Sequence, residues 1–192
     1  GSYEFADDVM FFHLQGSTQY DALGHVWYDD QIWNGYSADT TIGSLAKASV
    51  APLGEKGIVG RGILIDMARH RGKEVLDAGE TFNHEDLMAA ARAQGVTINK
   101  RDILIIRTGW IGSFYKRDPE EFYKDFIEPG LTYSQELVNW FQEMEIPNIV
   151  TDTIANEVTV DPFSGVALPL HNAIMRNLGI TLTEIAKLDP LA

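Results

Sequence analysis

Residues 103–106 of the chain read Ile-Leu-Ile-Ile, an apolar run without a polar position. Such a run is typical of a strand that is covered on both faces, since a half-exposed strand would alternate apolar and polar residues. Three other short apolar runs occupy residues 9–14, 62–66 and 146–150. The sequence therefore predicts a buried sheet with strands at these four places.

Helical patterns lie between or after these runs. Asn83 can cap a helix whose apolar residues have core spacing and whose end is marked by Gly95. A second helix is expected after Ser134, and a third over residues 169–178, stopped by Gly179. Strands that alternate with helices, with no linker or low-complexity segment, predict one α/β domain over the whole chain, 1–192.

The composition excludes several classes of protein. The chain has 192 residues and no cysteine, so disulfide scaffolds, thiol catalysis and Cys-ligated zinc are excluded. Its 15 basic and 28 acidic residues give a net charge of −13, which disfavours binding to nucleic acid or anionic membranes. The sequence has neither an apolar stretch of about 18 residues nor the order of a signal peptide. These features predict a cytoplasmic protein with a small-molecule substrate.

Polar side chains are concentrated in residues 13–25, directly after the first apolar run. Gln15, Gln19, Asp21 and His25 would converge if this segment leaves the sheet as a turn, because strand ends hold side chains at the edge of a cleft. Turn and capping groups are the commoner explanation of such a cluster. The residues alone leave both interpretations open.

A second candidate pair lies near the other end of the chain. His171 falls in the first turn of the third predicted helix, and a chain reversal at Gly179 would return Glu184 to the same side. Asp, His and Glu ligands from distant segments are the usual means of holding a divalent cation when cysteine is absent.

The pattern of residues 15–25 resembles the signature His-x-Gly-Thr-His-x-Asp-x-x-x-His of the metal-dependent cyclase family, which includes bacterial kynurenine formamidase and isatin hydrolase. Further matches follow in the same order at residues 60–69, 102–110, 129–131, 151–153 and 168–171, and at Glu184. The resemblance implies an α/β fold of the swivelling β/β/α type with a divalent metal, Mn or Zn. It also implies a metal-dependent hydrolase that cleaves the C–N bond of a small cyclic or N-acyl amide.

The resemblance also assigns roles to individual residues. Asp21, His171 and Glu184 match metal ligands of the family, and Asp21 and His25 match its catalytic positions, with His25 as ligand or proton shuttle. Gln15 and Gln19 occupy the places of two histidine ligands, which implies metal binding through amide oxygens. Because an amide oxygen is a weaker and harder donor than imidazole, zinc affinity should fall more than manganese affinity.

Other residues are expected around this site. Trp27, Tyr28 and Trp33 are placed to stack on a flat substrate, although a small satellite core under a long loop is an equal alternative. His13 would face the same side as Gln15 if residues 9–14 form a strand, and would then supply an imidazole. Three polar side chains after the fourth run are candidates for groups that support the metal ligands: Asp152, Thr153 and Glu157.

The chain is shorter than the family pattern, with twelve residues before His13 and eight after Glu184. We therefore expect that edge strands are missing and that a second copy covers the exposed edges, as a dimer or tetramer. Two other functions stay open: a ligand-binding protein that has lost its activity, and a structural subunit of a larger assembly.

Overall fold

A computed structural model describes every residue of the chain, Gly1–Ala192. It contains seven strands: β1 (Gln19–Asp21), β2 (Gly62–Asp66), β3 (Thr81–Phe82), β4 (Ile103–Arg107), β5 (Gly130–Leu131), β6 (Asn148–Thr151) and β7 (Thr181–Glu184). It also contains seven α-helical segments: α1 (Ala51–Lys56), α2 (Met67–His70), α3 (His84–Ala93), α4 (Trp110–Phe114), α5 (Pro119–Phe122), α6 (Gln135–Glu143) and α7 (Pro169–His171). The predicted α/β class is confirmed.

The main sheet has five strands in the order β1-β7-β6-β4-β2. Four of them run parallel, and β1 pairs antiparallel with β7 at one edge. The carboxyl ends of β2, β4, β6 and β7 therefore lie at the same edge of the sheet as the beginning of β1. This edge is where ligands bind in open α/β sheets.

The strands predicted at 62–66, 103–106 and 146–150 are present as β2, β4 and β6, with small differences at their ends. The strand predicted at residues 9–14 is wrong. That segment pairs with no strand, and its Val9, Phe11 and Leu14 side chains are exposed. The antiparallel place beside β7 is taken instead by β1, because a strand is defined by the backbone partner it finds and not by apolar content alone.

The three predicted helices begin at the predicted positions, and two of them have side-chain caps. The Asn83 side chain accepts hydrogen bonds from the backbone of Glu85 and Asp86, which completes a capping box for α3. The Ser134 side chain caps α6 in the same way. The third begins as α7 and continues as a π-turn, Asn172–Arg176. No helix has the length and hydrophobicity that a bilayer crossing requires.

The hydrophobic core lies between the main sheet and helices α3 and α6. Its buried side chains come from the sheet and from both helices: Ile65, Leu104, Ile106, Ile149, Leu182, Leu87, Ala90, Leu137 and Phe141. Burial of one large side chain of this kind stabilises the fold by about 1.5–3 kcal/mol. These contacts therefore fix the position of the sheet and of its carboxyl edge.

Buried polar groups fix the loops at that edge. Asp152, which follows β6, accepts hydrogen bonds from the backbone N–H groups of Thr108 and Gly109 at 2.8 and 2.7 Å. Next to it, the Arg107 guanidinium at the end of β4 bonds to the carboxylates of Asp66 and Asp189. These bonds join the ends of three parallel strands and leave little freedom for the neighbouring turns.

A glycine brings the second, two-stranded sheet against the loop after β6. A Cβ atom at Gly130, in β5, would lie 2.4 Å from the backbone carbon of Glu157. Leu131 then donates to the carbonyl oxygen of Asn156 at 3.1 Å. The residue at 130 must lack a side chain for the segment around Asn156 and Glu157 to stay where it is.

We expect Gly130→Ala to lower the free energy of unfolding by about 1–3 kcal/mol, because the added methyl group pushes against backbone that cannot yield. Gly54→Ala, within α1, is the matched control: no atom lies within 4 Å of its Cβ position, so its stability should be unchanged or slightly higher. Urea denaturation of both variants measures the difference. Equal stabilities would contradict the close-approach argument.

Candidate functional site

Three buried side chains from distant parts of the chain meet at the carboxyl edge of the sheet. Asp21 lies in β1, His171 in α7 and Glu184 in β7, and one oxygen or nitrogen atom of each lies within 4.8 Å of the others. Each is at most 3% exposed. Ionisable groups are seldom buried together unless a partner or a cation compensates them.

Strand pairing explains how the two carboxylates come together. Gln19 is opposite Glu184 in the β1–β7 register, and Asp21 is opposite Leu182. Because side chains alternate along a strand, Gln19 and Asp21 are on one face of the sheet together with Glu184. The first turn of α7 adds His171 to this group, since His171 Nε2 lies 3.3 Å from Glu184 Oε1.

Glu157 fixes the imidazole of His171. One of its carboxylate oxygens lies 2.6 Å from His171 Nδ1 and also accepts the backbone N–H of His171 at 2.7 Å. Its other oxygen accepts the backbone N–H of Leu170 at 2.8 Å. With a carboxylate at Nδ1, the Nε2 atom is the one that faces the other members of the cluster. This is how carboxylates orient metal-binding histidines in proteins.

The two glutamines of the signature contact the acidic side chains. Gln19 Nε2 donates to Glu184 Oε2 at 2.7 Å and to Gln15 Oε1 at 2.7 Å. Gln15 Nε2 donates to Asp21 Oδ1 at 3.1 Å. The structure therefore brings Gln15 and Gln19 to the site, where their N–H groups bond to the carboxylates that would otherwise repel each other.

The charges of the cluster shift its acid–base equilibria. Burial lowers the pKa of His171, but the bonds to Glu157 and Glu184 outweigh this effect and raise the pKa to about 9. Burial also raises the pKa of Glu184, and the charge of Asp21 adds to the rise, while His171 opposes it. An imidazolium between two carboxylates is thus the main positive charge in this group.

The side chains fit a divalent cation. Asp21 Oδ2 and Gln19 Oε1 are buried and accept no hydrogen bond, so each has a lone pair without a partner. A buried acceptor without a partner is rare in folded proteins because it loses its bond to water. Two carboxylates, an imidazole that has released its Nε2 proton and an amide oxygen form a donor set suited to Mn²⁺ or Zn²⁺. Asp21, His171, Glu184 and Gln19 are therefore the residues that could hold a metal, whereas the amide oxygen of Gln15 already accepts a hydrogen bond from Gln19.

The structure places His25 outside this cluster. His25 is exposed and lines a small surface depression of about 260 Å³ together with Trp27 and Asn172. Asn172 is the residue after His171, so the depression adjoins the helix that carries the imidazole. His25 and Trp27 are thus neighbours at the surface, and no hydrogen bond joins His25 to the buried side chains.

The other predicted aromatic residues lie elsewhere. The Tyr28 hydroxyl donates to Asn177 Oδ1 at 2.7 Å, and the Arg176 guanidinium lies 4.1 Å from the centre of its ring. Trp33 lies against Gly179 and lines a separate apolar groove of about 510 Å³. Trp27 and Trp33 therefore line two different surface depressions, and Tyr28 is held by Arg176 and Asn177.

The remaining polar candidates, His13, Asp152 and Glu157, lie in different surroundings. His13 is exposed and outside any strand, its ring centre lies 6.4 Å from that of Phe11, and it is not part of the buried cluster. Glu157 is a direct partner of His171, whereas Asp152 holds the neighbouring turn. Asn156 is a site residue that the sequence interpretation missed. Its signal was its position in the polar stretch that follows a buried strand.

Comparison with known proteins identifies relatives of this fold. Residues 2–158 match the profile of the family described as "Putative cyclase". Among solved structures, the crystal structure of a novel cyclase is 33% identical, with a TM-score of 0.85, over 98% of this chain and 62% of that one. No curated protein gives a significant match.

Two isatin hydrolases have the same fold at lower identity. Isatin hydrolase A from Labrenzia aggregata, bound to benzyl benzoate, is 19% identical with a TM-score of 0.61, over 90% of this chain and 60% of that one. An isatin hydrolase bound to the product analogue thioisatinate is 20% identical with a TM-score of 0.58, over 98% of this chain and 65% of that one. The chain thus spans less than two thirds of the length of these solved relatives.

We expect Glu157→Gln to lower the pKa of His171 from about 9, because the substitution removes the negative charge at Nδ1. A histidine pKa raised above its ordinary 6.5 stabilises the fold below pH 6.5, and this contribution is lost as the pH rises through about 9. The pH dependence of unfolding over this window should therefore be weaker in the variant.

An NMR titration of the histidine ring protons measures the pKa, and urea denaturation at several pH values measures the stability. Glu143→Gln, an exposed change on α6, is the matched control and should leave both measurements as in the unmodified protein. A His171 titration that is the same in Glu157→Gln would show that Glu157 does not set the charge of the imidazole.

Proposed function

Since this chain belongs to the cyclase family, we propose that it carries the metal centre of a metal-dependent hydrolase that cleaves a small cyclic or N-acyl amide. The single observation that carries the proposal is the buried group of Asp21, His171 and Glu184, in which Asp21 Oδ2 has no partner. Purely structural carboxylates would be expected to find protein donors for all their oxygens.

Asp21, His171 and Glu184 would hold the cation, with the amide oxygen of Gln19 as a further donor. A divalent cation in such a site polarises a carbonyl group and lowers the pKa of bound water. The protein supplies the orientation. Glu157 holds His171 by its Nδ1 atom, and strand pairing holds Glu184 beside Asp21.

His25 is the proposed proton carrier. Hydrolysis of an amide adds a hydroxyl group to the carbonyl carbon and a proton to the leaving nitrogen, so one group must take a proton from water and return it to nitrogen. Imidazole suits both steps near neutral pH. The exposed position of His25, beside the residue that follows His171, supports this role because the side chain has room to move.

The proposed amide substrate is supported by the position of Trp27 and by the names of two relatives of known structure. Trp27 shares the surface depression with His25 and is 43% exposed, so its indole is accessible to a flat ring. Two solved structures with this fold are isatin hydrolases by name. Isatin contains a five-membered cyclic amide fused to an aromatic ring, which is a suitable first substrate to test.

The hydrolase is tested by metal content and turnover together. We expect the protein to bind one Mn²⁺ and to hydrolyse isatin or an N-formyl aniline only when it is loaded. Asp21→Asn should reduce turnover at least 100-fold, because one carboxylate ligand is lost. Asp102→Asn is the matched control, since Asp102 is equally buried but precedes β4, at the opposite edge of the sheet.

The other functions predict different results. A protein that binds Mn²⁺ stoichiometrically but hydrolyses no amide would contradict the hydrolase and favour a ligand-binding role. A protein that binds no divalent cation would contradict the metal centre itself. Equal loss of turnover in the Asp21→Asn and Asp102→Asn variants would mean that the effect of Asp21 is only structural.

We also propose that the two amides shift the metal preference of the site towards Mn²⁺ and away from Zn²⁺, because imidazole suits Zn²⁺ better than an amide oxygen does. The double variant Gln15→His/Gln19→His should bind Zn²⁺ at least tenfold more tightly, with a smaller change for Mn²⁺. Isothermal titration calorimetry with each ion gives the ratio. Gln31→His, in the exposed loop after Tyr28, is the control for a new surface histidine. An unchanged ratio in the double variant would refute the preference.

A further inference from the structure

Asn156 is a buried amide at the metal centre that the family signature does not contain. Its side chain is 1% exposed, and its Nδ2 atom donates to Glu184 Oε1 at 3.3 Å. Its Oδ1 atom is buried and accepts no hydrogen bond. Because the two ends of an amide are only about 2.3 Å apart, this unpartnered oxygen lies within about 6 Å of Glu184 Oε1.

Asn156 and Gln19 form a matched pair around Glu184. Gln19 donates to one carboxylate oxygen and Asn156 donates to the other. In both amides the N–H group is used and the carbonyl oxygen is left without a donor. Asp21, whose carboxylate lies close to that of Glu184, has a third unpartnered oxygen, Oδ2, so all three oxygens belong to side chains that contact or adjoin Glu184. All three are acceptors, so none of them can satisfy another.

The N–H groups of His171, the positive side chain of this site, already have partners. His171 directs Nδ1 to Glu157 and Nε2 to Glu184, so it has no further N–H for the three oxygens. A divalent cation binds several oxygens at once, whereas a single proton donor would leave most of them unpartnered. Three unpartnered acceptors on side chains around Glu184 therefore point to a cation more strongly than to a substrate N–H group.

The backbone conformation at Asn156 lets its side chain reach Glu184. Its φ angle is +56°, in the left-handed region, where asparagine is tolerated better than most residues. In an extended chain, neighbouring side chains point in opposite directions. The left-handed turn instead lets Asn156 contact Glu184 while Glu157, the next residue, contacts His171. This single turn thus supplies one contact to Glu184 and another to His171.

We propose that Asn156 Oδ1 is an additional ligand of the cation, an inference that rests on the metal centre proposed above. The amide changes from a donor to Glu184 in the cation-free protein to an oxygen ligand of the loaded one. With Gln19 it makes the site rich in neutral oxygen, which favours a hard cation such as Mn²⁺.

The test is the Mn²⁺ affinity of Asn156→Gly, measured from the electron paramagnetic resonance signal of free Mn²⁺ during titration. Glycine adopts the left-handed backbone without strain, so the variant removes the amide and keeps the turn. We expect the Kd for Mn²⁺ to rise 10- to 100-fold, the range seen when a supporting group of a metal site is lost. Asn156→Asp keeps an oxygen at the same place and should bind Mn²⁺ at least as tightly as the unmodified protein.

Asn34→Gly is the matched control. Asn34 also has a left-handed backbone, with a φ angle of +64°, but it is exposed in the loop that carries Trp33. This variant should keep the Kd of the unmodified protein, and thermal denaturation without metal checks that all the variants are folded.

Two negative results are distinguishable. If the unmodified protein binds one Mn²⁺ and Asn156→Gly binds it equally well, Asn156 is not a ligand while the metal centre stands. If the unmodified protein binds no Mn²⁺, the metal centre and the role of Asn156 are both overturned.

Discussion

The antiparallel pairing of β1 with β7 is the constraint on which the site depends. The other strands of the main sheet are parallel and are joined through helices or long loops, so their order follows from ordinary α/β connections. β1 has three residues and joins the sheet only through β7. Its register brings Gln19 and Asp21 to Glu184, and a shift by one residue would turn both side chains to the opposite face. The chemistry of the site therefore depends on a very short strand.

That pairing concentrates negative charge in a protein that is already acidic. Asp21, Glu157 and Glu184 are buried around one imidazole. The two glutamines reduce the repulsion without adding charge, since their amide N–H groups bond to the carboxylates. Histidines at the same places would add ligands suited to a borderline metal such as Zn²⁺. Amides instead hold the carboxylates in position and keep oxygen atoms available, which is consistent with the unpartnered Gln19 Oε1.

The sequence predicted the regular part of the fold well. Continuous apolar runs marked β2, β4 and β6, and the capping residues Asn83 and Ser134 marked two helix starts. The strand prediction for residues 9–14 was wrong because an apolar run does not reveal whether a partner strand is available. β1 was missed for the converse reason: Gln-Tyr-Asp has no apolar pattern, and only its pairing with β7 makes it a strand.

Within the site, some residues could be predicted from the sequence and others could not. The positions of Asp21, His171 and Glu184 followed from the resemblance to a family, since three residues so far apart in sequence have no local signal. The contact between Asn156 and Glu184 could not be predicted, because it requires a left-handed turn that no residue pattern announces. The direction of each glutamine amide likewise depends on which carboxylates lie within reach.

The π-turn that continues α7 limits how this protein can evolve. A π-turn contains one residue more than an α-helical turn, so it is equivalent to an insertion within a helix. Each helical residue turns the chain by about 100°. Deleting one residue from Asn172–Arg176 would restore a regular helix but rotate the buried Ile174 and Met175 relative to His171. Natural variation in this segment should therefore preserve its length more strictly than its composition.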